Sequence, residues 1–156
     1  MEISTELQML GKIVIAALLG GVVGIEREFA ERPAGLRTHM LVGGTAAFFV
    51  LLSSLMLSSF EQQDVLTADP VRIIEAIVVG ISFLGAGTIL KYQEQGERVV
   101  EGLTTSASIL SVAAMGIAVA LDAYILAAGV AVMNLLVNWG LMTLIGRAKG
   151  SSKKTS

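Results

Sequence analysis

The chain has no cysteine and a single histidine. That removes disulfides, thiolate zinc sites, iron–sulfur clusters, cysteine nucleophiles and any multi-histidine metal centre built within it. Charge is scarce as well. Asp, Glu, Lys and Arg supply 15% of the 156 residues, against about 25% in soluble domains. With a net charge of −2, no global field is available to draw in nucleic acid. Cations are also missing ahead of the first apolar run, where Glu2 and Glu6 stand. A secretory signal would be positive there, so the run reads as a retained helix.

What fills the chain is apolar. AVILMFWYC residues make up 54% of it, with 17 glycines besides. One soluble core of this size could not hide that surface and keep a solvated exterior. The composition excludes a disordered chain, a secreted mini-protein and an ordinary cytosolic enzyme. It describes a small integral membrane protein.

Five stretches approach the roughly 20 apolar residues that cross a bilayer. They run from Leu7 to Ile25, Met40 to Phe60, Ile73 to Leu90, Leu103 to Leu121 and Ala123 to Ile145. The third should begin earlier, because Asp69-Pro70 reads as an N-cap followed by proline at the first helical position. Only Asp122 separates the last two, so a tight turn is expected there. A transmembrane barrel would need alternating apolar and polar positions. These runs are continuous, so the expected fold is an all-α membrane bundle of five transmembrane helices.

Cations set the orientation. Arg27, Arg32 and Arg37, then Lys91 and Arg98, then Arg147, Lys149, Lys153 and Lys154 fall on one side, and only Arg72 on the other. The positive-inside rule puts the N-terminus outside and the tail in the cytoplasm. Residues 1–146 then form the transmembrane domain. Residues 147–156 form a flexible basic tail against an anionic leaflet. The expected partners are the bilayer and a membrane protein or second copy, with no nucleic acid.

Several residues could do more than fill lipid. Ala16, Gly20 and Gly24 repeat at i, i+4, i+8, a spacing that lets helix backbones approach closely. Gly80, Gly85 and Gly87 offer the same on the third helix, or a local irregularity. On the fourth, Thr104, Ser108 and Ser111 share a face. They read either as helix–helix glue or as a polar track. Asn134 and Asn138 on the fifth read as glue. Lys12 and Glu75 each sit about five residues, or roughly 8 Å, below the outer surface. They either pair, with Arg72 one turn above, or snorkel separately.

The other side is chemically denser. Glu28 and Arg32 are spaced to pair on a short helical extension that Pro33 ends. Helix ends alternate, so Glu26, Arg27, Arg37, His39, Gly85, Gly87, Thr104 and Thr105 all fall at one depth. That set is either a binding site or a salt-bridged network that fixes topology. No nucleophile–base–orienter set is visible, so no enzyme and no cofactor is expected.

The segments GIEREFAERPAGLRTHMLV, GISFLGAGTIL and VVEGLTTSASIL resemble the MgtC/SapB family of bacterial inner-membrane proteins, in order and over nearly the whole chain. The resemblance implies that Glu26, Arg27, Arg32, Pro33, Gly35, Arg37, Thr38 and His39 matter, with Gly80, Phe83, Gly85, Gly87, Gly102, Thr104 and Thr105. It implies a regulatory or interaction role toward other membrane proteins, linked to magnesium or envelope homeostasis. Magnesium or other small-ion transport is the alternative. Longer members carry a soluble C-terminal domain, so a short form is expected here. Magnesium keeps several waters and prefers carboxylate oxygen, and only Glu75 supplies one inside a span. That ranks transport second.

Overall fold

The five apolar runs are five helices in a computed structural model, which describes residues 2–61, 69–94 and 97–140. They are α1 (Ile3–Phe29), α2 (Leu36–Glu61), α3 (Pro70–Gly87), α4 (Leu103–Ala120) and α5 (Tyr124–Leu135). The last continues into a π-helical turn, Leu136–Gly140. By length and apolar composition, α1, Leu36–Ser58 of α2, and α4 can each cross a membrane, and Tyr124–Asn138 is a shorter apolar helix. The basic tail at 147–156 and the end of the fifth run lie outside the described residues.

Local chemistry sets the boundaries. Asp69 is extended and its carboxylate accepts from the Val71 N–H at 2.9 Å. Pro70 occupies the first helical position, where a missing N–H costs nothing. The α4–α5 turn closes at Asp122, whose φ of 62° is left-handed, a conformation that Asp tolerates better than most residues. Ala123 N–H then reaches back to the Ala118 carbonyl at 2.9 Å.

The expectation of helices alone is corrected by one element. A hairpin, β1 (Leu90–Glu94) and β2 (Glu97–Glu101), joins α3 to α4 with Leu90 paired to Glu101 and Tyr92 to Val99. This connection is too short and too polar for another apolar helix. Its Tyr and Val residues suit a pleated strand.

The bundle is organised around α4, which buries Thr105, Ser108, Ile109, Val112, Ala113, Met115, Gly116, Ile117, Val119 and Ala120. It touches α1, α2, α3 and α5, and α1 lies along α2. Small residues make this possible. A Cβ on Gly20 would strike the His39 carbonyl, one on Gly43 the Ala16 carbonyl, and one on Gly116 the Gly43 carbonyl. Ala16, Gly20 and Gly24 therefore spend their face on α2 within the chain. The outer surface is apolar instead, with Phe83 80% and Ile125 92% exposed, as a surface solvated by lipid requires.

Neighbouring helices run in opposite directions. The C-terminal ends of α1, α3 and α5 and the N-terminal ends of α2 and α4 consequently meet at one end of the bundle.

Candidate functional site

The candidate site is a polar lock at that end, and it begins with a cation that has nowhere else to go. Arg27 lies in the last turn of α1 on the buried side, with 4% of it exposed. Its guanidinium donates to Thr105 Oγ1 at 3.2 Å and to Asn138 Oδ1 at 3.4 Å, tying α1 to α4 and to the end of α5. Among the described residues it is the one buried side chain with a permanent charge. A charge held inside a bundle is costly unless its donors are taken up. Its Nε is buried and has no partner among the described residues, nor has Oε2 of the adjoining Glu26.

His39 stands beside it, wholly enclosed in the first turns of α2. Its Nδ1 is 2.8 Å from the Gly35 carbonyl and its Nε2 is 3.0 Å from Ser108 Oγ. Ser108 Oγ lies 2.9 Å from the Thr105 carbonyl. One turn further along α4, Ser111 Oγ accepts from Asn134 Nδ2 at 2.7 Å, and Asn134 also donates to the Val130 carbonyl. Arg27–Thr105, His39–Ser108 and Asn134–Ser111 thus form three polar rungs along α4. Beyond them the helix is lined by Val112, Met115 and Val119, and the seam ends.

The residues that share a depth do not share a direction. Glu26 is half-buried, Thr105 and His39 are inside, and Arg32, Arg37, Thr38 and Thr104 are exposed around the same end. Consecutive helical positions turn by about 100°, so Thr104 cannot follow Thr105 inward. The inner face of α4 therefore runs through Thr105 and Ser108, not through Thr104. Gly85 is buried against Ser106, whose hydroxyl fills the place of a Cβ, whereas Gly87 faces open space. Glu28, spaced to pair with Arg32, instead accepts from the Leu36 N–H at 2.9 Å and caps the start of α2. Ser108, read as glue or as part of a polar track, and Asn138, read as glue, are direct partners of His39 and Arg27. The available signal was Thr105–Ser108 at i, i+3 on α4.

At the opposite end the expected Lys12–Glu75 pair is corrected. Lys12 Nζ lies 2.7 Å from Asp122 Oδ2 and 3.4 Å from the Ala120 carbonyl. Glu75 and Arg72 are exposed on α3. Equal depth brought Lys12 and Glu75 together on paper, but α3 packs on α4 and α2 while α1 reaches the α4–α5 turn. The hydrogen bond from Lys12, with a second from Tyr124 Oη at 2.9 Å, holds the Asp122 carboxyl below its ordinary range.

Among the described residues, no three His, Asp or Glu side chains come together as a metal-ligand set. The lock can hold a buried cation and relay hydrogen bonds between four helices.

The MgtC family model matches residues 13–146. YhiD of Escherichia coli K12, whose name provisionally assigns it to magnesium transport, is 36% identical over 126 residues, 81% of this chain and 57% of YhiD. Protein SapB of Bacillus subtilis is 36% identical over 107 residues, 69% of this chain and 45% of SapB. Protein MgtC of Brucella abortus is 45% identical over 102 residues, 65% of this chain and 38% of that protein. The chain spans about half the length of the curated relatives it matches. No solved structure matches it.

Proposed function

Because the chain belongs to the MgtC family, we propose that it is a bacterial inner-membrane regulator linked to magnesium homeostasis, acting by contact with another membrane protein and without catalysis. All five helices then cross the bilayer, with the N-terminus outside and the polar lock at the cytoplasmic end. The observation that carries this reading is the contrast at that end. The interior polar groups are closed on one another, with Arg27 at 4%, Thr105 at 2% and His39 at 0% exposure. Arg32, Arg37, Thr38 and Thr104 are exposed around them. A sealed lock with an exposed cationic rim suits recognition better than passage.

Transport of a small ion is the second reading, favoured by the polar rungs along α4 and by the name that YhiD carries. It would require the rungs to open. One experiment separates the two. A photo-crosslinking residue at position 37 in native membranes should give a reproducible adduct with one membrane protein. Substituting Arg37→Ala should remove that protein from affinity capture at equal membrane abundance, with Arg37→Lys restoring it in part, since lysine cannot pair bidentately. Proteoliposomes should take up magnesium no faster than empty vesicles. Flux above empty vesicles that Arg27→Leu abolishes would replace regulation with transport.

A further inference from the structure

The hairpin between α3 and α4 separates its side chains by face. Successive strand residues point to opposite faces, and directly paired residues share one. Leu90–Glu101 and Tyr92–Val99 therefore stand on one side, and Lys91–Val100 and Gln93–Arg98 on the other. The second side carries two cations and no acid. Its four residues are all exposed, whereas Val99 on the first side is half-buried. Lys91 and Arg98 are diagonal neighbours, set roughly 7–8 Å apart. Neither has an acidic partner among the described residues.

A two-stranded hairpin is marginal in water unless something packs on it, and this one contacts chiefly itself. Only Thr88 and Ile89 separate β1 from α3, and only Gly102 separates β2 from α4. Gly102 is left-handed and lies so close to Thr88 that a Cβ would strike the Thr88 carbonyl. Both strands are thus pinned at the helix ends. Lys91 and Arg98 stand about 3 and 10 Å along the hairpin from that root. With α3 and α4 crossing the bilayer, both cations are within side-chain reach of lipid phosphates. We propose that the Lys91–Arg98 face is a docking site for anionic phospholipid, with the two cations on headgroup phosphates and Val100, beside both, toward the acyl chains. Charge separation between the faces carries the proposal. An anionic leaflet attracts Lys91 and Arg98, and Glu101, which it repels, stands on the other side. The proposal rests on α3 and α4 spanning the membrane and is independent of whether the exposed rim meets a partner.

The chain has no cysteine, so a nitroxide at a single introduced cysteine reports local depth. The full chain labelled at Val100→Cys, Glu101→Cys or Val79→Cys is placed in nanodiscs of phosphatidylcholine, alone or mixed equally with phosphatidylglycerol. Collisions with oxygen, which enters lipid, are compared with collisions with a water-soluble nickel chelate. In the anionic discs position 100 should favour oxygen and position 101 nickel, although 101 is the nearer to the root. That contrast should be lost in phosphatidylcholine alone. It should be lost equally when Lys91→Gln and Arg98→Gln are combined in anionic discs, while Lys91→Arg keeps it. Position 79, exposed on the outer side of α3, should exclude nickel in every disc. Nickel access at 79 would overturn the spanning of α3, and the proposal with it. With 79 in lipid, equal access at 100 and 101, or a contrast indifferent to lipid charge, would overturn the proposal alone. Shielding of position 100 from both reagents in native membranes would give the face to a protein instead.

Discussion

Residues of the same kind acquire different meanings one position apart. Thr105 is buried on Arg27 and Thr104 faces outward. Gly102 and Gly87 stand in the two motifs that flank the hairpin, and they differ as sharply. Gly102 has φ +88°, and a Cβ there would run into the backbone of Thr88 and Ile89, while Gly87 has nothing nearby. Gly102→Ala should therefore cost the left-handed penalty of about 1–2 kcal/mol, increased by the collision. Gly87→Ala should be neutral or stabilising by up to about 1 kcal/mol. Thermal unfolding of the two variants in one detergent checks this, and equal losses would mean that the α3–α4 junction has been misread. The motifs marked both glycines alike; backbone geometry tells them apart.

At the scale of elements, side-chain bonds tie helices together at both ends of the bundle. One tie is the lock, in which α1, α2, α4 and the end of α5 share Arg27, His39 and their partners. The other is the ion pair of Lys12 with Asp122, joining α1 to the α4–α5 turn. The ion pair responds to solution conditions. Asp122 is held below its ordinary pKa by Lys12 and Tyr124. Its stabilisation is therefore present above the unfolded-state value and lost as pH falls through the depressed folded value. Asp122→Asn should unfold at a lower temperature than the wild type near neutrality, and the difference should vanish at strongly acid pH. It should also shrink with added salt, since the carboxylate is 63% exposed. Melting curves against pH and salt measure it. A gap that grows toward acid pH would contradict the pairing.

For the whole molecule, the governing fact is where charge is placed. Nine of the eleven Lys and Arg residues belong to segments assigned to one side, and Arg27 is built into the lock while Arg32 and Arg37 are exposed at the same end. The chain has no native cysteine, so single-cysteine variants report topology cleanly. Arg98→Cys should be labelled in intact spheroplasts only by a permeant maleimide, and Arg72→Cys by an impermeant one. The reverse pattern would invert the proposed orientation. The same allocation explains what the sequence could reveal of the site. The shared depth of Arg27, His39 and Thr105 followed from alternating helix ends. Their mutual contacts, and the outward turn of Arg37, Thr38 and Thr104, depended on the rotation of each helix about its axis. Hydropathy this continuous carries little information about rotation.

Apolar length and turn chemistry were enough to determine five helices, the Asp69–Pro70 start, the Asp122 turn and membrane residence. Each depends on neighbours in sequence or on composition summed over a window. The α3–α4 hairpin escaped that reading, because a short polar connection between spans has no long-range pattern to declare it. Partnership was decided only in three dimensions. Lys12 meets Asp122 rather than Glu75, Glu28 caps α2 rather than pairing with Arg32, and α2 is the helix that Gly20 and Gly24 admit. Each outcome turns on which helix faces which, and side-chain packing around α4 sets that.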